Sequence, residues 1–142
     1  MTRIKFVLIS FLFFLFSQNI ISAKENYFDI GKKFFFDKKL DKSKFKFEQD
    51  IVFNPKNEKS YLYLAKIYDL EKNDKLQEQN LNTVLLLDPK NEEAIYLLTL
   101  LKIKQSDYEK SKELIQVFNK VCNKLCENKN DMNRKLKNLQ PK

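Results

Sequence analysis

The sequence predicts an all-α protein, a solenoid of helix–turn–helix repeats following an N-terminal signal peptide. Three observations carry that expectation. The segment NPKNE (Asn54 to Glu58) returns almost unchanged as DPKNE (Asp88 to Glu92), 34 residues later. Residues 24–57, 58–91 and 92–125, laid beneath one another, agree well beyond the prolines. Tyr27, Tyr61 and Ile95 align, as do Ile30, Leu64 and Leu98, the small residues Gly31, Ala65 and Thr99, and later Phe47, Leu81 and Ile115. Within a unit, Tyr61, Leu64, Ala65 and Tyr68 stand at i, i+3, i+4 and i+7, one face of a helix. A fixed period of this length decides the architecture before any single element does.

The chain has 142 residues, room for one domain. Residues 1–23 have the order of a secretory signal peptide: Arg3 and Lys5, an 11-residue stretch from Phe6 to Phe16 that is apolar except for Ser10, then Ala23 before a cleavage site. The competing reading is an uncleaved anchor, although this stretch of 11 residues falls short of the roughly 20 that span a bilayer. No cysteine lies near the junction, which argues against a lipoprotein. Removing 23 residues from 142 leaves 119, with Arg3 and Lys5 lost from 27 basic residues and all 19 acidic ones kept, a net charge of +6. The charges are interspersed, as on solvated helix faces. An exported basic chain is not expected to meet nucleic acid; acidic partners or an anionic membrane surface suit it better.

Each unit divides into two amphipathic helices around a short turn: DKKLD (37–41), EKND (71–74) and KQSD (104–107). Leu40, Ser43, Phe47 and Ile51 form the second stripe of the first unit, and Tyr108, Ser111, Ile115 and Phe118 that of the third. Pro55 and Pro89 stop the second helices, because proline lacks the amide hydrogen and clashes with the preceding turn. Asn57 and Asn91 are expected to cap the next helix, with Glu58, Glu92 and Glu93 at its positive end. The competing reading is a generic helical bundle. Beyond the third unit, residues 127–142 form a polar tail. Met132, Leu136 and Leu139 there suggest a capping helix over 131–139, and the alternative is a disordered tail.

Over residues 24–126 these features resemble the tetratricopeptide repeat, with three units at 24–57, 58–91 and 92–126. DYEKSKELIQVF (Asp107 to Phe118) is especially similar to a second helix of that family. Three departures stand out: Gln77 where a small residue is expected, turns without glycine, and Asn123 where the third unit should have proline. The aromatic pair Phe34 and Tyr68 is also answered by Lys102 in the third copy.

The resemblance implies a binding groove lined by the first helix of each unit. Its lining would be Phe28, Lys32, Phe35 and Phe36; then Leu62, Lys66, Asp69 and Leu70; then Tyr96, Leu100, Ile103 and Lys104. Eight of these twelve are apolar or aromatic, so the expected partner is an apolar protein or peptide segment bearing acidic groups that meet Lys32 and Lys66. The alternative is that these side chains pack on a neighbouring helix or on another copy. The chaperone-type clamp for a C-terminal carboxylate is not expected, since the matching positions carry Phe28, Lys32, Tyr63, Glu93 and Leu97.

Histidine and tryptophan are absent and Gly31 is the single glycine. No Ser–His–Asp triad, His-containing zinc site or glycine-rich phosphate loop can be assembled, so no catalytic residue, metal or cofactor is assigned. Carboxylate pairs such as Asp37 and Asp41, or Glu92 and Glu93, fit helix starts. Cys122 and Cys126 are open to three readings: a disulfide of an oxidising compartment, two packed thiols, or redox or metal chemistry. On a regular helix i and i+4 are too far apart to bridge, so a disulfide requires the helix to end first. The leading functional expectation is a non-enzymatic protein-binding adaptor in the periplasm or secreted, or anchored to the inner membrane. An assembly subunit is the alternative and a small redox protein the remote third.

Overall fold

The computed structural model describes residues 26–139. The expected leader over 1–23, and Pro141 and Lys142, lie outside the described residues. Helices α1 (Tyr27–Phe36), α2 (Leu40–Phe53), α3 (Glu58–Leu70), α4 (Asp74–Leu87), α5 (Glu92–Lys104) and α6 (Tyr108–Val121) follow one another with short links. A 3-10 turn (Cys126–Asn128) leads into α7 (Lys129–Lys137). The described residues are all-helical or in turns. Helices α1 and α2, α3 and α4, and α5 and α6 pack as hairpins, and the second helix of each of the first two hairpins also packs on the first helix of the next.

Turn chemistry repeats with the units. Lys38, Lys72 and Ser106 occupy one position of the period, and each adopts a left-handed backbone with φ of 61°, 57° and 59°. Each turn therefore holds a residue where glycine would be unstrained, which explains how the links stay short without glycine. After the second and third turns the next helix is capped by a side chain: Asn73 Oδ1 accepts from the Leu76 amide at 3.2 Å, and Asp107 Oδ1 from Lys110 at 3.1 Å; after the first turn Lys39 supplies no such cap.

The two proline joints differ. Asn91 Oδ1 accepts from the Ala94 amide at 3.0 Å, as expected of a cap. Asn57 makes no such bond. Its Nδ2 instead donates to Asp50 at 2.6 Å, and the same carboxylate accepts from Asn54 Nδ2 at 3.0 Å and Ser60 Oγ at 2.5 Å. Asp50 is buried. A buried carboxylate demands donors on every side, and this demand turns the Asn57 amide away from the helix end.

The buried apolar residues form two clusters that meet at the second hairpin, which contributes Leu64 and Ile67 to one and Leu62 and Ala65 to the other. Phe47, Leu64 and Ile67 join the first two, while Leu81, Val84, Ile95, Leu98, Ile115 and Phe118 join the second and third. Gly31 belongs to the first part: a Cβ there would lie 2.9 Å from the Phe47 ring. Ser43 of α2 donates to the Gly31 carbonyl at 2.8 Å. At the equivalent positions units two and three carry Ala65 with Leu81 and Thr99 with Ile115, so the largest side chain at the second position goes with the smallest residue at the first. Gln77 is buried with the other core positions, and its Oε1 has no hydrogen-bond partner.

The third unit ends without proline. Helix α6 stops at Val121, Cys122 is extended (φ −61°, ψ 138°), and a disulfide joins it to Cys126. The helix thus ends before the bridge, as a four-residue spacing requires. Glu92, at the start of α5, accepts the Lys124 and Leu125 amides, each at 2.9 Å. Its carboxyl is held below the usual value by the backbone amides of Leu125, Asn123 and Lys124. Helix α7 then lays Met132, fully buried, on the core, with Leu136 packed beside it. It begins and ends two residues earlier than the 131–139 expected, and Leu139 lies beyond it.

Candidate binding face

Helices α1, α3 and α5 supply the face on which the sequence positions the site. Helix α1 packs against α3 as well as α2. Between α3 and α5, Lys66 Nζ reaches Glu93 Oε1 at 2.7 Å.

Aromatic side chains dominate the junction of α1 and α3. Phe28 lies edge-on to Tyr63 at 5.8 Å between centroids, Phe35 edge-on at 5.1 Å, and Phe47 stacks on the same ring at 5.0 Å. Such pairs, at roughly 4.5–7 Å, contribute about 0.5–1.5 kcal/mol beyond their burial. The Lys66 ammonium sits 4.7 Å over the Tyr63 ring. Burial, then the nearby Glu93 carboxylate, push the Tyr63 hydroxyl above its usual pKa. Tyr63 is thus the hub of this end, although the sequence drew notice to it only as a position lacking the carboxylate clamp. Its neighbour Leu62, expected in the groove, is 7 % exposed and belongs to the core.

Five of the expected lining residues remain exposed: Lys32, Phe36, Asp69, Leu70 and Lys104. Phe36 and Leu70 are equivalent residues, 34 apart, and retain 64 % and 58 % of their surface. Phe36 meets Phe35 edge-on at 5.9 Å, so one aromatic surface extends from Tyr63 through Phe35 to solvent. On α5, Leu100 and Ile103 are half-buried, and Tyr96 tilts against Phe118 at 6.4 Å.

The lysines are not equivalent. Lys66 is engaged by Glu93, so the expected pair of free lysines one repeat apart is reduced to Lys32. Lys104 turns to Asp74 at the start of α4, 2.6 Å away, and so serves the link between hairpins.

The period also accounts for Lys102. In the first joint Lys44 of α2 binds Glu71 at 2.6 Å and lies 5.7 Å over the Tyr68 ring. In the second, the equivalent of Lys44 is Glu78, which binds Lys102 at 2.7 Å and lies 3.5 Å from Gln105 Nε2. Lys102 and Gln105 are the equivalents of Tyr68 and Glu71. The aromatic residue is replaced where its partner changes sign.

Comparison with known proteins agrees with this geometry at the level of fold. No family model matches the chain, and no curated protein matches it. Among solved structures, it is similar to the first tetratricopeptide domain of Spaghetti (RPAP3) bound to the HSP90 peptide SRMEEVD. The identity is 17 % over 80 % of this chain and 90 % of that one, with a TM-score of 0.71. It is also similar to the Sgt2 tetratricopeptide domain from Aspergillus fumigatus, 18 % identical over 83 % of this chain and 77 % of that one, at a TM-score of 0.62. The fold is tetratricopeptide-like. The described helices follow the arrangement of those domains, whereas the side chains on the face are this chain's own. Among the described residues no group of three or more His, Cys, Asp or Glu could hold a metal ion, and no helix is long and apolar enough to cross a membrane.

Proposed function

We propose that this protein is a non-enzymatic adaptor that binds an apolar segment of a partner protein on the face of α1, α3 and α5. The observation that carries the reading is the exposure of Phe36 and Leu70 at equivalent positions, backed by the aromatic cluster around Tyr63. Two large apolar side chains recurring with the repeat suit an extended ligand whose own apolar residues recur along its length. Lys32 adds one basic contact for an acidic group in that ligand. Covering each exposed ring or aliphatic chain stabilises the complex by up to roughly 1.5–3 kcal/mol.

The setting we propose is an exported one, periplasmic or secreted, with an uncleaved N-terminal segment as the alternative attachment. The leader-like pattern over 1–23 and the disulfide between Cys122 and Cys126 support this. Photo-crosslinking residues at positions 36 and 70, introduced in the native cell, would identify the partner. The captured segment is then titrated against the purified protein. Phe36→Ala with Leu70→Ala should weaken binding at least about tenfold. Val52→Ala with Leu86→Ala, on the second helices, should leave it unchanged. Equal loss from both pairs would remove this face from the account.

A further inference from the structure

The third joint sets two structures against each other. Cys122, Leu125, Met132 and Leu136 continue the stripe of Ser111, Ile115 and Phe118 at helical spacing, and residues 122–128 (CNKLCEN) contain neither proline nor glycine. The sequence from Tyr108 to Lys137 thus suits one unbroken helix, yet α6 stops at Val121. At the first two joints proline makes the stop, and the residue two places after it closes a turn. The Asn57 amide donates to the Asn54 carbonyl at 2.9 Å, and Asn91 to Asp88 at 3.1 Å. At the third joint Asn123 replaces the proline, and the Leu125 amide, equivalent to those two, is turned to Glu92. Cys122 and Cys126 flank this joint at the positions of Asn54 and Glu58, both half-buried. Residues four apart on a regular helix are too far apart to bridge, so the disulfide and the continuous helix exclude each other.

Helix α7 is lightly held apart from this joint. Its nine residues are fewer than an isolated helix needs, no side chain caps its start, and Met132 is its one buried residue. It packs on both α5 and α6, where Met132 joins the cluster of Leu98, Leu114 and Phe118. We propose that Cys122 and Cys126 form a redox latch for α7. While the bridge is closed, α6 stops and α7 covers the end of the third hairpin. Once it is reduced, α6 continues through the joint in a fraction of the molecules and lifts Met132 off the core. A continuous helix carries residue 132 about 16 Å beyond Val121 and uncovers an apolar face of α5 and α6. Glu92 and Met132 favour the closed form in either redox state, so reduction shifts a population rather than emptying one. The reductant is a dithiol. One of its thiolates attacks a cysteine sulfur, breaks the S–S bond and forms a mixed disulfide, which its second thiol then displaces. This chain gains two electrons and two protons as two thiols, and the reductant is left as a disulfide.

Amide hydrogen exchange of the full-length chain, oxidised and after dithiothreitol under native conditions, tests this. The dithiol should open the bridge in the folded chain. Peptides from α7 should then exchange at least about tenfold faster, and those from α1 to α4 at unchanged rates. Cys122→Ser with Cys126→Ser should match the reduced chain in either condition. Asn123→Pro gives this joint the stop that the other two have. It leaves the Lys124 and Leu125 amides to Glu92, and Cys122, extended at φ −61° and ψ 138°, already has the backbone that precedes a proline. Reduced Asn123→Pro should therefore exchange α7 as slowly as the oxidised wild type, a rescue that a merely stabilising bridge would not show. A bridge that resists the dithiol until the chain unfolds overturns the proposal. So does α7 exchange unchanged by reduction, an equal acceleration in every helix, or a reduced Asn123→Pro chain as fast as the reduced wild type.

Discussion

Gly31 and Phe47 form a matched pair, and the match is testable with one methyl group. A Cβ at position 31 would lie 2.9 Å from a ring that is fully buried. Gly31→Ala should therefore lower stability by about 1–3 kcal/mol, despite the better helix propensity of alanine. Trimming the ring in the same chain with Phe47→Leu, the pairing used by Ala65 and Leu81, should recover part of that loss in denaturant titrations. The left-handed turn residues point the other way. Lys72→Gly removes the strain of a φ of 57° and should raise stability by about 0.5–1 kcal/mol, net of the entropy glycine adds to the unfolded chain. Both features were half-visible in the sequence. The small-residue column at 31, 65 and 99 could be read, but the ring it faces could not. The missing turn glycines could be seen as well, but not which residue would take the left-handed conformation.

Among the elements, the third joint shows how a stop signal can be replaced. Proline ends α2 and α4 at the first two joints; at the third, the disulfide and the Glu92 carboxylate hold the chain after α6. Because the folded Glu92 carboxyl lies below its ordinary value of 4.5, its stabilising contact is fully present above that value. The contact is lost as pH falls through the lower folded value. Thermal melting should accordingly show less acid destabilisation in Glu92→Gln than in the wild type as pH falls below 4.5. Helix α7 depends on Met132 for its seat on the core, and Met132→Ala should cost about 2–5 kcal/mol. Three apolar residues suggested a helix here, but only Met132 and Leu136 pack on the core and the limits of the helix were not legible. Backbone contacts around Cys126–Asn128 set its start, and no periodicity reports those. Asn57 is a similar case. Its type predicted a cap, but Asp50, a residue seven positions earlier, took its amide.

For the molecule as a whole, the order of hairpins is written in the joints. Glu78 and Lys102 reverse the sign used by Lys44 and Glu71, so the hairpins are not interchangeable. Glu78→Lys brings two ammonium groups together, and the Lys102 side chain is only 12 % exposed, so that change should be clearly destabilising. Adding Lys102→Glu should restore most of the loss, and a double-mutant cycle measures the coupling. The fold was legible because a 34-residue period survives in the positions that pack. The face was legible only in part. The period located Phe36 and Leu70, but it could not reveal that Lys66 is neutralised by Glu93, that Leu62 is buried, or that Tyr63 fills the junction.

Selection of peptides from a random displayed library, followed by titration of the selected sequences, tests the central claim most directly. The account predicts apolar-rich binders whose affinity falls at least about tenfold in Phe36→Ala with Leu70→Ala and is unchanged in Val52→Ala with Leu86→Ala. Selected peptides that bind the first pair of variants as tightly as the wild type would contradict it.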